Sequence, residues 1–65
     1  MYNLFANNID DEGNPTDLYK KPYRYLVLAL SDAQGLVVGD LYSEIYLLDG
    51  DNIIWEHKRR DSRVV

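Results

Sequence analysis

The longest apolar run in the chain is Tyr25–Leu30, and within Tyr23–Ser31 (YRYLVLALS) both alternating faces of that run are hydrophobic. Strand-favouring residues that are apolar on both faces predict a central β-strand, although a buried helix has the same local pattern. Asp32-Ala33-Gln34-Gly35 then reads as a tight reversal with Gly35 in the left-handed position, and Leu36-Val37-Val38 begins a return strand. A helical alternative competes with this reading. Ser31 and Gln34 fit a capping box, and Ala33, Val37, Leu41, Ile45 and Leu48 recur at helical spacing. Gly35, Gly39 and the Val37-Val38 pair weigh against one long helix by roughly 2 kcal/mol of propensity. A short helix over 40–48, capped by Asp40, survives as the alternative to a strand.

The cleanest signal is a hairpin: Ser43–Leu48, the turn Asp49-Gly50-Asp51-Asn52, then Ile53–Arg59. Closing it with Leu48 opposite Ile53 sets Tyr46 against Trp55 and Glu44 against His57. The other face then pairs Leu47 with Ile54 and Ile45 with Glu56. A slip of one residue would exchange the two faces. Ahead of these elements, Met1–Ala6 fits an edge strand or half a helical turn. Asn7–Asp17 is dense in turn formers and reads as a loop. Thr16 would cap a helical turn that Pro22 stops. Arg60–Val65 reads as a charged tail whose valines fray or extend the last strand.

The expected fold is therefore all-β, a twisted antiparallel meander of about four strands near 23–31, 35–42, 44–49 and 52–59. An irregular N-terminal arm over 1–22 precedes it, a tail over 60–65 follows, and the whole of 1–65 forms one small domain. The alternative is α+β, with the helix at 40–48.

Size and charge sharpen this picture. A chain of 65 residues with no cysteine has a thin stability margin and neither disulfides nor thiolate metal sites to help it. Its hydrophobic content of 46 %, with six Tyr, is high for so small a core. Apolar surface left on a single sheet predicts a homodimer. The net charge is −4, but Tyr25–Glu56 holds six carboxylates and no Lys or Arg, whereas His57–Val65 holds four bases and one acid. That acidic centre disfavours direct contact with nucleic acid or anionic membranes. The N-terminal residues lack a signal-peptide pattern and no apolar run is long enough to span a bilayer, so the expected location is the cytoplasm, or the host cytoplasm for a viral protein.

Candidate chemistry is sparse. His57 is the only histidine, and in the expected register Ser43 points away from it, which disfavours a Ser–His relay. Asp10-Asp11-Glu12 and Asp49-Gly50-Asp51 lack the oxygen spacing of a calcium loop, and no glycine pattern cradles phosphate. No metal, no cofactor and no catalysis are expected. Lys58, Arg59, Arg60 and Arg63 form a weak basic cluster, which gives nucleic-acid binding through the tail only as an alternative.

What remains is an acidic surface carrying tyrosines. On a strand, Asp40, Tyr42, Glu44, Tyr46 and Leu48 would share one side, with Asp49, Asp51 and Glu56 close by. Strand neighbours on one face are about 6.6–6.8 Å apart, near the phosphate step along one DNA strand. Asp40, Tyr42, Glu44, Tyr46, Asp49, Asp51 and Glu56 are thus the expected partner-binding residues. The expected partner is a protein with a basic nucleic-acid-binding site, which the face would block as a DNA mimic. In composition the chain resembles the phage-encoded uracil-DNA glycosylase inhibitors, whose edge strand carries an acid, a serine and an isoleucine. Ser43-Glu44-Ile45 has those residue types in another order, and the similarity extends no further. The other functional expectation is a structural or assembly subunit that uses an apolar sheet face.

Overall fold

The computed structural model describes residues 1–59, which form two β-hairpins joined by one helix. Strands β1 (Tyr2–Ile9) and β2 (Pro15–Tyr23) make the first hairpin. Helix α1 (Leu26–Gly39) follows, then strands β3 (Glu44–Asp49) and β4 (Asn52–Lys58). All pairings are antiparallel and the strand order is β2-β1-β3-β4. Strands β2 and β3 therefore run the same way with β1 inserted between them, and α1 makes the crossover, a split β-α-β connection.

This α+β architecture overturns the all-β meander, and the reasons are local. Residues 26–39 are one helix where strands were expected over 23–31 and 35–42. Leu26, Leu28, Ala29, Leu30, Ala33 and Leu36 are among the best helix formers, and their summed preference outweighs Gly35 and the two adjacent valines. The helix uses none of the usual end signals: no side chain caps Tyr25, no acid lies in the first turn and no base in the last. It is held by packing instead. Ala29 and Ala33, four apart, are fully buried, and Leu30, Leu36 and Val37 pack beside them. Small residues on this stripe let the helix lie close on the sheet.

The alternative helix at 40–48 is also absent, because α1 ends where it would begin. Asp40 adopts the left-handed conformation (φ 52°) and its N–H donates to the carbonyls of Leu36 and Val37, so it closes one helix rather than opening another.

Residues 1–22 are the outer hairpin rather than an irregular arm. The loop expected over 7–17 shrinks to its centre, where the Asp10 carboxylate accepts from the N–H groups of Glu12 and Asn14 at 2.9 and 2.8 Å. The helical turn at Thr16 is a strand segment. Pro15 and Pro22 are tolerated there because β2 is an edge strand, and Asp17 (φ 53°) sits where the register shifts.

The second hairpin lies where the pattern placed it. Asp49 pairs with Asn52 across a two-residue turn, with Gly50 at φ 61° as the first of its central positions. Beyond Leu48 opposite Ile53 the register shifts by one. Tyr46 faces Glu56, Leu47 faces Trp55, Ile45 faces His57 and Glu44 faces Lys58. Ile54 is the extra residue, and it turns Trp55 and His57 onto the helix side. Of the expected basic cluster, Lys58 ends β4 and Arg59 follows it, whereas Arg60, Arg63 and the rest of the tail at 60–65 lie outside the described residues.

The core sits between α1 and one face of the sheet. Leu4, Ala6, Ile45 and Leu47 supply its floor, with Tyr2, Tyr19, Tyr23, Tyr42 and Trp55 around it. Tyr23 donates its hydroxyl to the Asp32 carboxylate on the helix, fastening α1 to β2. Burial first, then that carboxylate, raises the Tyr23 hydroxyl above its ordinary pKa.

Candidate functional site

Only one face of the sheet is covered by the helix. Alternate residues of each strand point to the other face: Lys20 and Pro22 from β2, Asn3, Phe5 and Asn7 from β1, Glu44, Tyr46 and Leu48 from β3, and Ile53, Glu56 and Lys58 from β4. Phe5, Asn7, Tyr46, Leu48 and Ile53 line a shallow open depression of about 370 Å³ at its middle. Ile53 is 57 % exposed, and Leu18 at the β2 bulge is 77 % exposed. A contiguous apolar patch rimmed by charge is the usual signature of an interaction surface.

The polar groups of this face are ordered. Asn7, which is buried, donates from its side chain to Glu44 Oε1 at 3.1 Å and to the Asn8 carbonyl at 3.2 Å. The Lys20 ammonium lies 5.5 Å from the centre of the Phe5 ring. Burial, then the Glu44 carboxylate and the charge of Glu56, raises the Tyr46 hydroxyl above its ordinary value.

The seven expected partner-binding residues do not share one surface. Glu44, Tyr46 and Glu56 meet on the uncovered face. Asp49 and Asp51 project from the β3–β4 turn at one end of the strands. Asp40 lies beyond the opposite end, at the helix exit, where Arg59 pairs with its carboxylate at 3.1 Å. Arg59 also donates to Ser43 Oγ at 3.1 Å, and its own N–H donates to the Ser43 carbonyl at 2.7 Å. Tyr42 turns toward the core, its ring 5.8 Å from that of Tyr19. The expected row failed because the strand begins at Glu44, not at Asp40.

Ser43 is held at this same corner by Asn8, whose Oδ1 accepts from the Ser43 N–H at 2.9 Å and from its hydroxyl at 3.2 Å. The Asn8 amide also donates to Asp17 at 3.1 Å and to the Leu41 carbonyl at 3.0 Å. One asparagine thus joins β1, the β2 bulge and the loop into β3. His57 lies beside Trp55, ring centres 6.4 Å apart and nearly parallel. Among the described residues, no three His, Asp or Glu side chains gather as a metal site would require, and no helix is long and apolar enough to cross a membrane.

The sequence reading did not select Phe5, Asn7, Lys20 or Ile53 for this surface. For Phe5 and Asn7 the available signal is the period-two pattern of the N-terminal segment, in which Leu4 and Ala6 alternate with Asn3, Phe5 and Asn7. Comparison with protein-family models, with curated protein sequences and with solved structures finds no match.

Proposed function

We propose that the protein is a structural or assembly module that works by binding protein through the uncovered face of its sheet. One observation carries the reading: Phe5, Tyr46, Leu48 and Ile53 form a continuous apolar and aromatic surface without a covering layer in the chain's described residues. Tyrosine and other aromatic residues are favoured at the centres of protein interfaces, with charged groups outside them, and here Lys20 and Glu56 stand on either side. A second reading is an acidic surface that occupies a basic nucleic-acid-binding site. It draws on Glu44 and Glu56 flanking Tyr46, and on Asp49 and Asp51 in the turn.

Co-purification separates the two. A tagged chain is offered both an untagged copy and a cell extract, at low and high salt. The apolar reading expects capture that persists in high salt, is lost with Leu48→Lys, and is kept by the paired change Asp49→Lys with Asp51→Lys. Capture that fades with salt and fails with the aspartate changes alone would favour the acidic reading and contradict the first.

A further inference from the structure

Resting on the reading of this face as a protein-binding surface, we propose that its occupant is a second copy of the chain, stacked face to face about a two-fold axis parallel to the strands. The charge pattern selects both the occupant and the axis. Across the sheet the register places Lys20, Phe5, Tyr46 and Glu56 in a single row. Its ends carry opposite charge and its middle is aromatic. The neighbouring row reads Pro22, Asn3, Leu48 and Ile53.

An isologous contact must be complementary to itself. Two symmetric stackings are available to such a face. An axis along the row sets β2 over β2 of the partner copy, which brings lysine over lysine and glutamate over glutamate. An axis parallel to the strands sets β2 over β4 of the copy instead. Each Lys20 then meets a Glu56, each Phe5 meets a Tyr46, and each Pro22 meets an Ile53. Aligned sheets pack about 10 Å apart with their strands about 30° off parallel, a gap that a lysine and a glutamate side chain span together.

The other charges on the face agree with this stacking. Glu44 and Lys58 are direct partners across β3 and β4, so they offset each other within one copy, and Glu44 already accepts from Asn7. The four charges of the strand positions on this face (Lys20, Glu44, Glu56 and Lys58) sum to zero, so the contact itself adds no like-charge repulsion to that of the acidic chain as a whole. Among the described residues, the free side of β2 is guarded by Pro15, Pro22 and the Asp17 bulge. The outward side of α1 is also apolar, with Val27, Leu28 and Val38 exposed, but it carries no complementary pair of charges to set a symmetric register.

Sedimentation equilibrium of the purified full chain, from micromolar to millimolar concentration, tests the proposal. The wild type is expected to dimerise. Lys20→Glu and Glu56→Lys should each weaken the dimer by roughly tenfold or more, because each converts two opposite-charge contacts into like-charge ones. The double variant, with both charges exchanged, should recover it. Lys20 and Glu56 are exposed, so far-UV circular dichroism is expected to be unchanged in all three. A mixture of isotope-labelled and unlabelled wild-type chains should show intermolecular contacts between the Phe5 and Tyr46 rings. A wild type that stays monomeric throughout, or a dimer indifferent to both single changes and lacking the Phe5–Tyr46 contact, overturns the proposal. A monomer that still captures another protein in a Leu48-dependent way overturns only the second copy as occupant and leaves the assembly reading in place. A dimer with no dependence on Leu48 contradicts both.

Discussion

The two faces of the sheet are built from neighbouring residues of the same strands, yet they differ in what holds them. On the helix side Leu4, Ala6, Ile45 and Leu47 are fully or almost fully buried, and Ala29 and Ala33 meet them from above. On the other side Phe5, Tyr46, Leu48 and Ile53 have only one another, with Lys20, Glu44, Glu56 and Lys58 around them. Ile45 and Leu48 are three residues apart and similar in size. What separates them is the second layer, so the comparison teaches that stability is concentrated on one face, and the other is the face proposed to meet a partner.

The largest expected effect follows from that contrast. Ile45→Ala should destabilise the chain by about 2–5 kcal/mol. A chain of this size has roughly 3–10 kcal/mol in total, so the change would remove a large share of its stability. Leu48→Ala should cost about 1 kcal/mol or less in the monomer, since its site is open to water on one side. Urea titrations at low protein concentration measure both, and equal losses would break the distinction between the faces.

Next in size is Asn8→Ala. It removes the acceptor for Ser43 and the donor to Asp17 and Leu41, at about 1–2 kcal/mol net in the same titration. The loss should come with faster amide exchange at Ser43, whose N–H donates to the Asn8 side chain.

A smaller effect depends on pH. The hydroxyls of Tyr23 and Tyr46 both hold their protons more tightly in the folded chain than at the ordinary value of 10.0. Their contribution to stability is therefore complete below pH 10 and declines above it, as the unfolded chain releases protons that the folded chain retains. Thermal melts between pH 8 and pH 11 should show this alkaline decline. Tyr23→Phe should make it shallower, and a decline unchanged by that substitution would assign it elsewhere.

The smallest effect belongs to the exposed Arg59–Asp40 pair. Asp40→Asn, which removes the charge but keeps a residue type tolerated at this left-handed position, should cost about 0–1 kcal/mol, and less at high salt. A large loss would mean that the helix exit, rather than the helix stripe, anchors α1.

How much of this was legible depended on whether the determining contacts were local. The β3–β4 hairpin could be read because Asp49-Gly50-Asp51-Asn52 carries its own turn chemistry. Its register could not be read past Ile53, because nothing in Ile53-Ile54-Trp55 marks which isoleucine is the bulge. The helix was hidden for a different reason. Tyr25–Leu30 has no polar phase and no cap, so within it only the Leu and Ala preference spoke for a helix, and the four positions Gly35, Val37, Val38 and Gly39 spoke against. The first hairpin was obscured by Asn7 and Asn8, which look like loop residues but are strand residues whose amides bond to Glu44 and to the loop into β3. Of the expected binding residues, Glu44, Tyr46 and Glu56 reached the uncovered face. Asp40 and Tyr42 depended on the strand starting four residues too early.

The central claim is that the chain meets its partner through the face without the helix. Amide and methyl chemical shifts followed as the chain's own concentration rises test this at residue level. The account predicts shift changes at Phe5, Lys20, Tyr46, Leu48, Ile53 and Glu56, with the outward helix positions Val27 and Val38 silent. Changes confined to the helix, or to Asp49 and Asp51 in the turn, would contradict it.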